Sequence, residues 1–303
     1  MTVLKETVKK QVPGYYRQPV GELMVSALYD GFINLSTSLF HGLPPEELRA
    51  LSERKHQAQS SDGVPTAVTT YLIEHGSGSI LLNAGGSKRP APGMGCLPDS
   101  LAAAGCRVED ISAILLTHLH FDHVCGLVHD NGAAVFPRAK IYVSKAESDF
   151  WLNPQIAQAA PEGVRPFFEM AVNSIAPYKE RGDLIVFEDG AELFPGIRAL
   201  PTPGHTPGHT SFLISSGRDQ LLLWGDIVHS HALQFSHPEV TNDFDSDQAQ
   251  AAATRQALFK KVFEEKLLVA GDHLPFPGFG HMSRDGAGYQ WVPVEYSWLP
   301  TME

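Results

Sequence analysis

The sequence predicts an α/β fold in which two β-sheets pack face to face and helices cover their outer faces. Each half of the 303-residue chain begins with strand-like segments and continues with helix-like ones. Strands followed by helices, twice over, favour two sheets in one layered core. No linker rich in proline, glycine or serine separates the halves, so we expect a single domain over residues 1–303. Within it we expect an N-terminal arm (1–20) and an aromatic C-terminal segment (284–303) that packs on the domain or on a dimer partner.

The first strands are predicted by alternating apolar and β-branched residues. They lie in GELMVSALYDGFINL (21–35) and TAVTTYLIEHGSGSILLNAG (66–85), where GSGS predicts a hairpin turn. Two helices are predicted nearby. PEELRALSERKHQA (45–58) opens with proline and acidic residues, and LPDSLAAAG (97–105) ends in glycine.

The middle of the chain continues this pattern. ISAILLT (111–117) is a predicted buried strand that runs directly into a group of histidines, and AKIYVSK (139–145) is the next strand. Ser144 and Glu147 have the spacing of a capping box, which predicts a helix start. PFFEMAVNSIAPYKERG (166–182) is predicted to be a helix that packs on the core.

The second half repeats the order of strands before helices. Four successive strands are predicted, in LIVFEDG (184–190), IRALPTPG (197–204), HTSFLISS (209–216) and QLLLWGDIV (220–228). A long helix, SDQAQAAATRQALFKKVFEEK (246–266), and a short strand, LLVAGDH (267–273), follow.

Composition limits the classes of function. The chain has 23 basic and 34 acidic residues, which gives a formal charge of -11. This negative charge argues against nucleic acid as a partner. The three cysteines are odd in number and contain no CxxC pair, so a reducing compartment is expected. The N-terminus lacks the apolar run of a signal peptide, and no later run is long enough to span a membrane. We therefore expect a cytoplasmic protein with no membrane partner.

The histidine-rich segment ILLTHLHFDHVCGL (114–127) predicts a metal site. His118 and His120 are two residues apart in extended chain, so both rings can point the same way. Asp122 and His123 lie where the chain turns and could face a second metal. Imidazole and carboxylate ligands suit Zn²⁺ and similar divalent ions. Two such ions about 3.5–4 Å apart can share a hydroxide that is nucleophilic at neutral pH.

Further candidate ligands follow three other predicted strands. His205 lies in PTPGHTPGH, Asp226 ends the apolar run LLLWG and could bridge both metals, and His273 ends LLVAGDH. A lone histidine is usually a surface or core residue, and a lone aspartate after a strand is usually a turn residue. Seven ligand-type residues at separate strand ends, where loops place functional groups, together indicate a metal centre.

These motifs resemble the metallo-β-lactamase superfamily: HLHFDH, the glycine-flanked His205, Asp226 in WGDIVH, and His273. The resemblance implies an αββα sandwich of two mixed sheets with a binuclear metal site at one edge. It implies one metal held by His118, His120 and His205 and another held by Asp122, His123 and His273. Asp226 and a water or hydroxide would bridge the two ions. Zn²⁺ is the expected metal, with Mn²⁺, Co²⁺ and Fe²⁺ as alternatives that the same ligands accept.

Later motifs are similar to the methyl parathion hydrolase branch of that superfamily. They are DFWL (149–152), ATRQ near Thr254, HLPFPGFGH (273–281), GYQWVPVEY (288–296) and the QF, proline, VT, DSD pattern within 234–247. Members of the branch hydrolyse organophosphate triesters, relatives act on lactones and aryl esters, and the branch tends to dimerise. The resemblance thus implies a homodimeric hydrolase in which the bridging hydroxide attacks an ester carbonyl or phosphorus. Asp122 and Asp226 are the expected catalytic carboxylates, and Asp122 could also relay a proton.

One motif departs from the superfamily pattern. The Asp-Thr-Gly usual after the strand before the first helix is Asn83-Ala84-Gly85 here. The usual aspartate orients metal ligands, so Asn83 keeps the hydrogen bonds and loses the charge. We therefore expect Asn83→Asp to tighten metal binding.

The remaining expectations concern the substrate pocket. Trp151, Phe167, Phe168 and His229 are candidates for its wall, and aromatic residues there would suit aryl groups or a lactone ring. Three alternatives stay open: a glyoxalase-II-like thioesterase, a mononuclear iron dioxygenase of the same fold, and a catalytically silent regulatory or binding member.

Overall fold

A computed structural model describes residues 11–12, 14–57, 63–76 and 78–299 of the chain. The elements up to the middle of the chain are β1 (Tyr15–Val20), β2 (Leu23–Leu35), β3 (Phe40–His41), α1 (Pro45–Arg54), β4 (Val64–His75), β5 (Gly78–Leu82), α2 (Leu97–Ala103), β6 (Ile111–Leu115), α3 (Phe121–Val124), β7 (Lys140–Ser144) and α4 (Lys145–Trp151). The later elements are α5 (Pro154–Ala159), α6 (Arg165–Glu180), β8 (Leu184–Phe187), β9 (Glu192–Phe194), β10 (Ile197–Pro201), β11 (Thr210–Ser216), β12 (Asp219–Leu223), β13 (Thr241–Asn242), α7 (Gln248–Glu265), β14 (Leu268–Ala270), β15 (Phe279–Asp285) and β16 (Gly288–Pro293).

The strands form two large mixed sheets, as the sequence predicts. The first has the order β1-β2-β4-β5-β6-β7-β8, and the second has the order β16-β15-β14-β12-β11-β10-β9. In the first sheet β5 to β8 run parallel, while in the second the β12–β14 pair is parallel. A small third sheet pairs β13 with β3. The architecture is the αββα sandwich.

Apolar side chains fill three layers between these elements. Leu82 and Leu115 of the first sheet pack with Phe212 and Leu223 of the second, which closes the two sheets face to face. On the outer face of the first sheet, apolar residues of α2, α4 and α6 form another cluster, and α7 covers the second sheet. Because both faces of each sheet are covered, strands such as β6 read as continuous apolar runs.

One predicted strand needs correction, and two predicted segments lie partly outside the described residues. LIVF (184–187) was expected beside the strands that follow it, but it pairs in parallel with β7 at the edge of the first sheet. The predicted N-terminal arm ends in β1, which is hydrogen-bonded to β2, and residues 1–10 and 13 of the arm lie outside the described residues. The C-terminal segment begins within β15 and includes β16, and its residues 300–303 also lie outside them. Among the described residues, no helix combines the length and apolar character needed to cross a membrane.

Candidate metal centre

The predicted ligands lie together because the strands that precede them end at one edge of the sandwich. β6 leads into the loop that carries His118 and His120, and α3 then presents Asp122 and His123. From the second sheet, β10 leads to His205, β12 to Asp226 and β14 to His273. The structure therefore brings all seven predicted residues to one place, although they span more than 150 positions of sequence.

The seven residues form two clusters that share Asp226. The first cluster is His118, His120, His205 and Asp226; the second cluster is Asp122, His123, His273 and Asp226. In each, one ligand atom from every residue lies within 4.8 Å of all the others. A three-histidine, one-carboxylate set and a two-histidine, two-carboxylate set both suit borderline divalent ions.

Imidazole nitrogens converge on one point in the first cluster. His205 Nε2 lies 2.9 Å from His120 Nδ1 and 3.2 Å from His118 Nε2. Burial lowers the pKa of both His118 and His120 well below the usual histidine value, so these rings are neutral and offer lone pairs. Burial alone would lower the pKa of His205, but Asp226 and Asp245 raise it to about 9. Three imidazole nitrogens this close together fit a shared cation, which would displace the His205 proton because a metal ligand must be deprotonated.

The second cluster fits a cation for a different reason. His123 Nε2 and Asp226 Oδ1 face each other at 3.3 Å, yet each is buried without a hydrogen bond. His273 Nε2 lies 3.3 Å from Asp122 Oδ2 and 3.0 Å from Asp226 Oδ2. Burial alone would lower the pKa of His123, but Asp226 and Asp122 raise it well above the usual value. Concentrated carboxylate charge of this kind also attracts a metal ion.

Outer groups contact the second nitrogen of three ligand rings and so fix the orientation of these rings. His205 Nδ1 lies 3.0 Å from Asp245 Oδ1, His123 Nδ1 lies 3.3 Å from Asp272 Oδ2, and the carbonyl oxygen of Ala67 accepts from His273 Nδ1 at 2.9 Å. Such partners set the tautomer of a metal-binding histidine and raise its basicity. Sequence reasoning missed Asp245 and Asp272. Their positions, in the DSD motif and directly before His273, were the available signals.

Asn83 contacts this outer layer and none of the predicted ligands directly. Its side-chain amide donates to Asp272 Oδ2 at 2.6 Å, and its Oδ1 accepts from the Thr117 backbone N–H at 3.0 Å. Asn83 itself has no carboxylate, but the carboxylate of Asp272 lies within hydrogen-bond distance of its amide. The backbone at Asn83 has φ +57°, a conformation that asparagine and aspartate tolerate better than most residues.

A cavity of about 500 Å³ opens onto both clusters. Its floor includes His120, Asp122 and Asp226. Its apolar wall is formed by Phe32, Ile33, Leu35, Pro92, Trp151, Val164, Phe167 and Phe244. No lysine or arginine lines it among the described residues. An apolar pocket whose described lining contains no lysine or arginine suits an uncharged substrate.

The predicted pocket residues divide between this cavity and the core. Trp151 lines the cavity, and its ring lies edge-on to the His120 ring with the two centroids 5.3 Å apart. Phe167 lines the cavity from α6. His229 also lines it, with Nε2 3.2 Å from Asp226 Oδ2. Phe168 does not: it is buried against Trp151, with ring centroids 4.5 Å apart. Of these two neighbouring candidates, Phe167 therefore faces the cavity and Phe168 faces the core.

Comparison with known proteins agrees with this geometry. The family model of the Metallo-beta-lactamase superfamily matches residues 63–273. The crystal structure of hydrolase AbOPH in the beta lactamase superfamily superposes with a TM-score of 0.90 at 35% identity, over 95% of this chain and all of that one. AidC, a dizinc quorum-quenching lactonase solved with a product, N-hexanoyl-L-homoserine, superposes with a TM-score of 0.86 at 30% identity over the same shares. An N-acyl homoserine lactonase of Bacillus cereus is 33% identical over 174 residues, which are 57% of this chain but only 60% of the lactonase.

Proposed function

This chain belongs to the metallo-beta-lactamase superfamily, and on that premise we propose that it is a binuclear metallohydrolase of uncharged, apolar esters. The substrates we expect are lactones, aryl esters and organophosphate triesters. The observation that carries the proposal is the pairing of two four-ligand clusters with an apolar cavity that no lysine or arginine of the described residues lines. A lactone and a triester both present an uncharged electrophilic centre, so one such pocket could accept either.

The two clusters would each hold one divalent ion, Zn²⁺ being the expected metal, with Asp226 shared between them. Bound ions would supply a hydroxide that is nucleophilic at neutral pH and would polarise the ester oxygen. Hydrolysis adds one water across the ester bond, so its oxygen joins the acyl or phosphoryl centre and a proton reaches the leaving oxygen. Asp122 lies in the cavity floor, where its carboxylate could pass on that proton. No serine or cysteine nucleophile is needed.

The cavity wall supplies substrate binding and excludes water. Trp151, Phe167 and Phe244 offer flat apolar surfaces on which an aryl group, a lactone ring or an acyl chain can pack. Phe32 and Val164 line the same cavity and remain partly exposed at 38% each, so a longer apolar substituent could extend past them. A substrate of this kind gains affinity from apolar burial rather than from charge.

The alternative functions find less support in the same observations. A glutathione-type thioester carries carboxylates, and the part of the cavity wall that the structure describes offers them no lysine or arginine. A mononuclear iron dioxygenase would need only the first cluster, and here the second cluster is complete too. A silent binding member would be expected to have lost ligands, whereas seven are present.

The test compares kcat/KM for an aryl lactone and a dimethyl aryl phosphotriester on one zinc-replete preparation, with His120→Ala as the background. We expect both reactions to exceed that background. A lactone advantage of orders of magnitude would identify a lactonase or arylesterase with incidental triesterase activity, as the lactonase relatives suggest. Equal or better triester hydrolysis would extend the methyl parathion hydrolase resemblance to function. Rates at background for every ester, lactone and triester would overturn the proposal.

A further inference from the structure

Glu147 is a fully buried carboxylate that belongs to neither ligand cluster. It lies in the first turn of α4, three residues after the helix cap Ser144. This spacing predicts a capping box, in which the glutamate side chain returns to the backbone N–H of the cap. The structure has the first half of that motif, since the Glu147 N–H donates to Ser144 Oγ at 3.2 Å. The carboxylate instead extends to the loops around the metal centre.

Three donors from two separate loops meet this carboxylate. Oε1 accepts from the Leu119 backbone N–H at 2.8 Å. Oε2 accepts from Thr206 Oγ1 at 2.7 Å and from the Gly208 backbone N–H at 3.0 Å. Leu119 lies between His118 and His120, and Thr206 directly follows His205. One side chain therefore joins the two loops that carry all three imidazoles of the first cluster.

The backbones at this junction are in close contact. A Cβ atom at Gly208 would lie 2.0 Å from the Glu147 nitrogen, so only glycine permits the approach. The Ser144 hydroxyl also donates to the Gly208 carbonyl oxygen at 2.7 Å. The start of α4 and the His205 loop are thus held together from both sides, and Glu147 extends that link to the His118–His120 loop.

Burial makes this carboxylate costly for the fold. It raises the pKa of Glu147 to about 7, although the Thr206, Leu119 and Gly208 donors oppose the shift. A buried carboxylate without a cationic partner stabilises a fold less than an apolar side chain would. Its hydrogen bonds go to loops that carry metal ligands, which points to the site rather than to the core as the reason for its presence.

We propose that Glu147 is a positioning residue that holds the His118–His120 loop and the His205 loop in the arrangement that binds the first metal ion. It acts through Leu119, Thr206 and Gly208 and lies outside the residues that line the cavity. The inference rests on the proposed metal centre but not on the identity of any substrate.

The test is a zinc titration against a chromophoric chelator. Wild-type protein is expected to bind two ions, and His120→Ala identifies the phase that belongs to the first cluster. Glu147→Gln keeps the shape of the side chain but replaces one acceptor oxygen with an N–H donor. We expect it to weaken the first-cluster ion by ~10- to 100-fold, the usual effect of losing an outer-layer partner, and to leave the second ion unchanged. Thr206→Val should act in the same direction more weakly, while Thr206→Ser should not.

A matched control separates positioning from general stability. Tyr178 is buried away from the clusters, where its hydroxyl donates to the Leu127 carbonyl oxygen and accepts from the Phe136 N–H. Tyr178→Phe should lower the unfolding temperature and leave both zinc affinities unchanged. Unchanged zinc affinity in Glu147→Gln, or equal weakening of both ions in step with the unfolding temperature, would overturn the proposal. Thr206→Val carries the same test if Glu147→Gln does not fold. Wild-type protein that binds no zinc would overturn the metal centre itself, and the role of Glu147 with it.

Discussion

The side-chain amide of Asn83 donates a 2.6 Å hydrogen bond to the carboxylate of Asp272, which in turn lies 3.3 Å from His123 Nδ1. The sequence alone suggests that Asn83→Asp tightens metal binding. The contact between Asn83 and Asp272 suggests that it weakens metal binding. Two carboxylates would then face each other at hydrogen-bond distance in a buried place, where both cannot ionise cheaply. One of them would take up a proton, and His123 would have a weaker partner.

We therefore predict that Asn83→Asp weakens the second-cluster zinc ion by ~10- to 100-fold. The double exchange Asn83→Asp/Asp272→Asn restores one amide and one carboxylate to the pair, and it should recover part of the loss. Chelator competition on the three proteins measures both effects. Tighter zinc binding by Asn83→Asp would contradict the argument that this pair can hold only one ionised carboxylate.

Phe167 and Phe168 provide a matched pair of neighbouring aromatic residues. Phe168 is buried in the core beneath Trp151, so Phe168→Ala should lower the free energy of unfolding by about 3–5 kcal/mol. Phe167 lines the cavity, so Phe167→Ala should cost only about 1 kcal/mol of stability.

For substrate affinity, Phe167→Ala should have the larger effect and Phe168→Ala the smaller one. Loss of the Phe167 wall should raise KM for an aryl lactone about tenfold, equivalent to about 1.4 kcal/mol of apolar contact. Urea unfolding and steady-state kinetics on both variants provide the measurements. Equal effects of the two substitutions on KM would show that Phe167 does not contact substrate.

The absence of lysine and arginine from the described cavity wall predicts discrimination against anionic substrates. Asp243 and Asp245 line the cavity beside the carboxylates of the clusters, so an added negative charge has no cationic side chain to pair with. Of two aryl esters of equal size, the one with a carboxylate on its acyl chain should have kcat/KM at least about tenfold lower. Equal kcat/KM values for the two esters would contradict an apolar binding site whose described lining offers no lysine or arginine.

Glu147 predicts a specific pH dependence of stability in the metal-free protein. Burial raises its pKa from 4.5 to about 7, so between these values the folded protein holds a proton that the unfolded chain releases. The free energy of unfolding should therefore fall as pH rises through this window, relative to Glu147→Gln, which has no such proton. Above about pH 7 the difference should level off. Urea unfolding of both proteins from pH 4.5 to 8 measures it, and a difference that rises with pH would contradict the assignment.

Much of the site could be predicted because its ligand residues lie in short motifs that directly follow apolar strands. HLHFDH follows β6, and Asp226 and His273 follow β12 and β14, so strand ends alone suggested a shared edge. The outer layer could not be predicted in this way. Its members contact residues at least 28 positions away in the sequence: Glu147 contacts Leu119, Asp245 contacts His205 and Asp272 contacts His123. For the two aspartates the partner is a histidine ring nitrogen, and only the fold sets the direction in which that nitrogen points.

The misplaced elements have physical causes too. LIVF was grouped with the strands that follow it but pairs with β7, because a strand's composition does not say which neighbour it pairs with. Phe168 was wrongly predicted to line the pocket because apolar residues of this helix face both the core and the cavity, and composition does not separate the two. The predicted homodimer stays a prediction; Tyr296 and Trp298, exposed by 76% and 86% in the C-terminal segment, are residues that a partner could cover.

The measurement that tests the account most directly is lactone hydrolysis as a function of zinc added to the metal-free protein. Two clusters that share Asp226 predict that one equivalent gives little activity and that the rate rises to its maximum as the second equivalent binds. His120→Ala and His273→Ala, each lacking a ligand of one cluster, should stay near background at both stages. Full activity with one equivalent, or none with two, would contradict a binuclear hydrolase.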